Sequence, residues 1–413
     1  MRRWRIAMVS EHASPLAMLG GVDAGGQNIH VAELAGALAR RGHAVRVYTR
    51  RDDPDIAPVV PFGPGVDVEH VPAGPPTPLP KDELLPYMGE FGRYLAARWE
   101  ADFTPAVVHA HFWMSGLAAL TATAIRPIPV VVTYHALGSV KRRFQGEEDT
   151  SPPSRQGLER ELGLLADRVI AQCGDEVEEL GRMGIPRTHI SVIPSGVNIE
   201  RFTTGGPAAE PPAGGLQRVL TVGRLVPRKG YADLIRALPA MRDAELVIVG
   251  GPPADELASD PEVRRLRVLT QRAGVADRVR LLGSVRREDM PAWYRSADVL
   301  ACAPWYEPFG LTPLEAMACG VPVVAYAVGG LAESVIDGVT GALVRPRDIR
   351  QLAIALRAVL GNPVLRMSYA SAAVDRVRSR YPWERTAAEM ERVYAAVTGE
   401  PVVTGGALSE VSS

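Results

Sequence analysis

Lysine is nearly absent from this chain. Among 413 residues there are three, Lys81, Lys141 and Lys229, against 43 arginines. Where arginine serves almost everywhere as the cation, a retained lysine marks a position that wants a compact ammonium rather than a planar fork, chance survival being the other reading. Cysteine is as scarce: Cys173, Cys302 and Cys319 are odd in number and widely spaced, which argues against a disulfide framework or a zinc cluster. No Asn-x-Ser/Thr acceptor occurs, and no histidine follows His189. The longest weakly polar stretch, Phe112 to Ile125, is about 14 residues, against the ~20 that span a bilayer. The basic start, Met1 to Arg5, is followed only by Ile6 to Val9 before Glu11 and His12, too short for a signal-peptide core. The formal net charge is -1, which excludes a broad basic surface for nucleic acid or anionic lipid. These absences lead us to expect a reduced, cytoplasmic enzyme with small-molecule partners.

What is present is ordinary globular composition, 46% hydrophobic and 23% charged. The length suggests two or three domains at roughly 150 residues each. Apolar strands are predicted at Arg5 to Ser10, Ala44 to Thr49, Val66 to Val71, Val107 to Ala110, Val130 to Thr133, Arg168 to Ala171 and Ser191 to Ile193, alternating with helical patterns. The alternation stops at a Gly/Pro/Ala stretch, 203–216, which reads as a linker. It restarts at Val219 to Val222, Leu246 to Val249, Val279 to Leu282, Val299 to Cys302, Val323 to Tyr326 and Ala342 to Val344. Near-continuous apolar strands between helices mean parallel sheets covered on both faces. The fold class is therefore α/β, with two Rossmann-like domains, 1–202 and 217–380, facing a central cleft. A final helix, 381–398, is expected to pack back on the first domain, and 399–413 reads as a tail. Ligands in such folds lie at the carboxyl ends of strands, so the loops after strands carry the search.

Three loops stand out. After the first strand, Gly20-Gly21-Val22-Asp23-Ala24-Gly25-Gly26-Gln27-Asn28 opens into a helix, a phosphate-cradle signature in kind that also serves as a plain turn. The second domain begins with Val222-Gly223-Arg224-Leu225-Val226-Pro227-Arg228-Lys229-Gly230, placing Arg224 and Lys229 where both can meet one anion such as a diphosphate. The most specific is Glu307-Pro308-Phe309-Gly310-Leu311, with Glu315 on the helix that follows. It pairs two carboxylates with free backbone N–H groups, a surface for sugar hydroxyls and a phosphate oxygen. His135, at a strand's carboxyl end, is a site candidate, with His109 and His111 less decided. His-x-His lacks a nearby carboxylate at ligand spacing, so no metal site is expected. His43, past a helix end, reads as structural. Lys141-Arg142-Arg143 suits a phosphate on a second substrate or a surface turn, within a charged, proline-containing loop from Arg142 to Arg155.

At these residues the chain, over about 5–396, resembles the retaining GT-B glycosyltransferases of family 4. The spacing from Glu307 to Glu315, with Arg224 and Lys229 before it and Gly25-Gly26-Gln27-Asn28 earlier still, is far more specific than any one motif. Within the family, Gly25 to Asn28, Val132-Thr133-Tyr134-His135 and Lys141 resemble sucrose-phosphate synthases and the transferase that begins mycothiol synthesis.

The resemblance implies a nucleotide-diphosphate sugar donor, UDP-, GDP- or ADP-linked, with no tightly bound cofactor or metal. It gives the diphosphate to Arg224 and Lys229, near Gly25, Gly26 and Gly223. Glu315 receives the ribose, and Gly283 and Val285 lie beside the base. Glu307, Phe309, Gly310 and Leu311 grip the donor sugar and β-phosphate. His135 touches the sugar, and Gln27, Asn28, His111, Lys141 and Arg143 shape the acceptor side. His135, Arg224, Lys229 and Glu307 are the catalytic set, acting by front-face substitution. Asp53-Pro54-Asp55 mimics a metal motif but falls in a loop away from these. A sugar or cyclitol phosphate acceptor is expected, with an unphosphorylated natural product or lipid-linked acceptor, an epimerase or a sugar-nucleotide sensor as rivals. A homodimer stays open.

Overall fold

The computed structural model describes residues 3–17 and 25–399; Gly20 to Ala24 of the first glycine loop and the tail from residue 400 lie outside the described residues. Two sheets organise the chain. The first contains β1 (Arg5–Val9), β2 (Ala44–Arg50), β3 (Val59–Gly63), β4 (Val66–Val71), β5 (Val107–His111), β6 (Val130–Thr133), β7 (Arg168–Ala171) and β8 (Ile190–Val192), in the order β3-β4-β2-β1-β5-β6-β7-β8. The second contains β9 (Gln217–Val222), β10 (Ala244–Val249), β11 (Val279–Gly283), β12 (Val299–Cys302), β13 (Val323–Tyr326) and β14 (Gly341–Val344), in the order β11-β10-β9-β12-β13-β14. Central strands are buried on both faces, as Ile6 to Val9 and Val323 to Tyr326 show, and helices cover them. All neighbouring pairs are parallel except β3 with β4.

That antiparallel edge corrects the reading of a purely parallel sheet. β3 carries Pro61 and is largely exposed, and proline is tolerated only where no ladder hydrogen bond is required. The segment expected as a loop from Arg142 also differs, since Gly138–Gln145 is helical and Arg155–Leu165 forms the next long helix.

Two crossings join the halves. The segment 203–216 is held to the second domain, with Arg295 donating to the carbonyls of Thr203 and Pro207 and Arg218 donating to that of Glu210. Further on, the helix Pro363–Arg380 ends at Tyr381, and the chain returns to the first domain as the helix Trp383–Thr398. Trp383, Ala387, Met390, Tyr394 and Ala395 are buried in the first domain's core with Trp4, Ile6 and Val31. Gly196 faces Trp383 so closely that a Cβ there would stand 2.6 Å from the indole. No helix among the described residues is long and apolar enough to cross a membrane.

An ion cluster locks the returning helix. Arg41 donates two bonds of 2.6 Å to Glu391, and the ring of His43, stacked on Trp4, lies 2.8 Å from the same carboxylate. Burial works against ionisation of Glu391, but the hydrogen bonds from His43 and Arg41 prevail and hold it down to about 2. A depressed carboxyl stabilises the fold above its unfolded value of about 4.3 and loses that contribution as pH falls through its folded value. Glu391→Gln is therefore expected to cost about 2 kcal/mol at pH 7, lowering the melting temperature by several degrees. In melts followed against pH, the gap to wild type should hold to pH 5 and narrow below about 4.3.

Candidate active site

Each sheet reverses its strand order between two neighbours, β1 and β5 in the first and β9 and β12 in the second. A crevice opens at the carboxyl ends of such strands. The loops leaving these strands line one cleft of about 370 Å³ between the domains. Of the residues singled out in the sequence, it is lined by Gly25, Gly26, Gln27, Asn28, His135, Lys141, Gly223, Arg224, Lys229, Val285, Glu307, Phe309, Gly310, Leu311 and Glu315. All three lysines, Lys81, Lys141 and Lys229, face it.

On the second domain, Lys229 follows β9 in the turn Pro227–Lys229, and its Nζ lies 2.5 Å from Oε2 of Glu307 after β12. Gly230 ends that turn at φ 73, where a Cβ would stand 1.8 Å from the Ala303 carbonyl oxygen, so only glycine fits. Burial opposes ionisation of Glu307, but Lys229, Arg228 and Arg224 outweigh it and hold the carboxyl below its ordinary value. Three cations thus converge on one carboxylate at the cleft wall. Gly310 caps the helix Leu311–Ala318 at φ 86, with Leu311 as its first residue. Glu315, buried on this helix, accepts from Arg287 at 2.8 Å and from the Tyr294 hydroxyl at 2.8 Å. Across the cleft, a Cβ on Gly25 would be 3.9 Å from Nε of Arg224, and one on Gly26 3.8 Å from Leu311.

On the first domain, Gln27 donates to the His111 carbonyl at 3.1 Å, and Asn28 caps its helix by accepting from the Gly25 amide at 3.0 Å. Lys141 meets Asp149 at 3.0 Å, Ser151 at 2.9 Å and Asp82 at 3.5 Å. Lys81 and Arg155 line the same side. Arg155 is buried, pairs with Glu159 at 2.7 Å and donates to the Ala136 carbonyl at 2.7 Å. Two strand ends are held in unusual backbone: Phe112 after β5 at φ 86 and His135 after β6 at φ 59. Such positive φ in bulky residues is costly and clusters at functional sites.

Four expectations meet a different placement. His111 is fully buried behind His135, its Nδ1 3.0 Å from His135 Nε2, and does not line the cleft. Arg143 turns away and grips Glu179 at 2.6 and 2.9 Å beside a smaller pocket of about 240 Å³. Two residues after Lys141 on a helix, it projects from nearly the opposite face. Gly283 does not line the cleft, although Ser284 and Val285 do. Its φ of 76 serves packing, since a Cβ would stand 2.6 Å from the Pro252 carbonyl oxygen. The histidines also converge more than their spacing along the chain implied. His30, on the first helix of the first domain, joins His111 and His135, one ring nitrogen from each lying within 4.8 Å of the other two. Burial pushes His30 and His109 down to about 3 and His111 and His135 well below their ordinary value, leaving neutral rings. Asp53 and Asp55 are exposed and away from the cleft lining.

Residues 24–201 match the family described as Glycosyltransferase Family 4, and residues 208–376 match Glycosyl transferases group 1. The chain is 38% identical to a D-inositol 3-phosphate glycosyltransferase of Geodermatophilus obscurus over 96% of its own length and 90% of the relative's. It is 39% identical to one of Mycolicibacterium smegmatis over 89% of this chain and 86% of that one. Among solved structures, sucrose-phosphate synthase from Thermosynechococcus elongatus superposes with a TM-score of 0.88 at 33% identity, covering 96% of this chain and all of that one (100%).

The Arg287–Glu315 pair offers a direct check of how the cleft wall is built. Removing one partner of a buried pair leaves an uncompensated charge, at a cost of about 3–5 kcal/mol. Arg287→Met should lower the thermal melting point well beyond Arg286→Met, whose side chain is exposed in salt bridges at the surface.

Proposed function

The chain belongs to the GT-B glycosyltransferases of family 4, and from that premise we propose that it moves a hexose from a nucleotide-diphosphate sugar to a hydroxyl of a cyclitol or sugar phosphate, with retention at the anomeric carbon. The observation that carries this reading is the convergence of Arg224, Arg228 and Lys229 on Glu307 at the cleft wall, facing Gly25 and Gly26. A diphosphate is the complementary ligand, and preorganised cations stabilise the charge that builds on it as the sugar departs. Glu315 would receive the ribose in exchange for part of its bonding to Arg287 and Tyr294. Val285 would lie beside the base, and His135 beside the sugar.

Among the described residues lining the cleft, the carboxylates are Glu307 and Glu315. Each is already engaged by a cation, which lowers its nucleophilicity. Front-face substitution fits this arrangement. The bond from the anomeric carbon to the phosphate oxygen stretches, the acceptor oxygen bonds on the same face, and its proton passes to the departing phosphate. Positioning and electrostatics supply the catalysis, without a metal ion.

The acceptor assignment draws on two supports. The relatives are named for a cyclitol phosphate and a sugar phosphate, and Lys81, Lys141 and Arg155 gather on the first domain's side. Because Lys141 and Arg155 are already met by Asp82, Asp149 and Glu159, an uncharged polyol is the second reading. Transfer assays with inositol phosphate against inositol separate the two, and donor loss without nucleoside diphosphate release would identify an epimerase instead.

A thermal-shift panel of UDP, GDP and ADP sugars is expected to single out one nucleotide, unchanged by EDTA, with about 2.7 kcal/mol of stabilisation at 100 times the dissociation constant. Lys229→Ala should reduce turnover by about 10²-fold or more, by analogy with loss of a preorganised oxyanion donor. Wild-type turnover in that variant would overturn the assignment.

A further inference from the structure

Four histidines cluster at the cleft, with His30 and His135 lining it and His109 and His111 buried behind them. His109 is fully committed, with Nδ1 2.8 Å from the Tyr394 hydroxyl and Nε2 2.9 Å from Thr133. The other three are not. His30 Nε2 and His111 Nε2 are buried with no hydrogen-bond partner among the described residues. Among the described residues, His111 Nδ1 and His135 Nε2 have only each other, at 3.0 Å. Orphaned polar atoms in a buried site are costly and call for a partner. An ion can replace the proton held between His111 Nδ1 and His135 Nε2, that proton moving to the other nitrogen of its ring, and take the His30 Nε2 lone pair as a third ligand.

We propose that His30, His111 and His135 form a binding site for one divalent transition metal, with zinc as the preferred ion. Ring centroids stand 5.5 Å apart for His30 and His111, 4.8 Å for His30 and His135, and 5.2 Å for His111 and His135. A tetrahedral zinc with ~2.05 Å bonds to nitrogen sets its ligand nitrogens ~3.3 Å apart and the ring centres about 5 Å apart. The His111 and His135 nitrogens are already near that spacing. Closing the widest separation, 4.8 Å, takes a side-chain shift on the order of 1 Å.

The surroundings match a metal site. A ligating histidine characteristically donates its other ring N–H to a fixed acceptor, which sets the tautomer. His30 Nδ1 lies 2.7 Å from Ser195 Oγ, which Gln172 Nε2 holds at 2.5 Å. With Nδ1 donating to Ser195, Nε2 offers its lone pair to the ion. His30 and His135 line the cleft, so an ion can enter from solvent and keep an open coordination position toward the space where substrates bind. Imidazole ligands select zinc, copper, nickel or iron over magnesium or calcium. An ion there would occupy the place given above to the donor hexose, so zinc would inhibit transfer. That consequence rests on the proposed donor placement, whereas binding of the ion does not.

The test is a titration of the full chain with Co²⁺, read by the visible absorption of tetrahedral cobalt, followed by displacement with Zn²⁺. One equivalent is expected to bind the wild type. His30→Gln should weaken binding at least tenfold and Ser195→Ala by about 10- to 100-fold. His70→Gln, outside the cluster, should change nothing. Absence of a tetrahedral cobalt spectrum, or an unchanged affinity in folded His30→Gln and Ser195→Ala, would overturn the site. Loss of transfer on adding zinc, reversed by EDTA, would agree with both readings. One bound equivalent with undiminished transfer would keep the metal site and overturn the hexose placement instead.

Discussion

Lys229 and Glu307 join the loops after β9 and β12 at 2.5 Å, and the cleft's chemistry depends on that contact. Taking both charges largely out of water costs several kcal/mol per ion, recovered only when the geometry is good and neighbours complete the bonding. Here the backbone fixes the geometry. The Gly330 amide donates to the Glu307 carbonyl at 3.1 Å, and Gly329 approaches so closely that a Cβ would meet that oxygen at 2.1 Å. Three loops, after β9, β12 and β13, thus meet at one residue, Glu307, through its carboxylate and its backbone carbonyl. Arg224 and Arg228 act on the same carboxylate in the same direction as Lys229. On the proposed reading, a diphosphate entering the cleft would meet cations whose positions are already set by how the loops are tied.

The same loops matter only because the other domain is held opposite them. The Val197 amide donates to the Tyr381 carbonyl at 2.7 Å where the chain crosses back, and Trp383 seats the last helix in the first domain. On the far side, Gln145 bonds the Tyr306 hydroxyl at 2.8 Å, Phe144 stacks on Tyr306, and the Gly174 amide donates to Glu333 at 2.5 Å. The crossing joins the domains through buried core, whereas the far side has a few polar bonds and one ring pair. If the domains part to admit substrate, the far side is the weaker seam and the crossing is the hinge.

How much of this was legible in the sequence follows from where each signal lives. Central strands announce themselves as apolar runs, and the loops after β1, β9 and β12 carry glycines and charges at strand ends, where a site must be. β3 was invisible because Val59-Val60-Pro61-Phe62-Gly63 is short, shows no alternation of apolar and polar residues and is interrupted by a proline. Arg287 was hidden among 43 arginines, and Tyr294 reads as a core residue of a short helix, so the partners of Glu315 left no trace. His30 falls on the buried face of its helix beside Val31 and Leu34 and reads as packing. His109 and His111, two apart on a strand, share one face of it, and that face is buried. Spacing along a chain finds ligands that share an element, and the three converging histidines come from three.

The scarcity of lysine is the feature in which sequence and geometry meet most directly. All three lysines line the cleft, in a chain that elsewhere uses arginine. Arginine spreads its charge over a planar fork that is satisfied by two parallel acceptors, as when Arg41 grips Glu391. Lys229 has no room for that plane. Its stem lies along the Gly223 backbone, with Cε 3.3 Å from where a Cβ on Gly223 would be, and its single nitrogen must reach Glu307 and still present donors to the cleft. An ammonium offers three rotatable donors from one atom, so it can hold a carboxylate and a phosphate oxygen together. Lys141 is similarly placed among Asp82, Asp149 and Ser151. A compact charge that can change partners suits a site in which charge on the leaving group grows during the reaction.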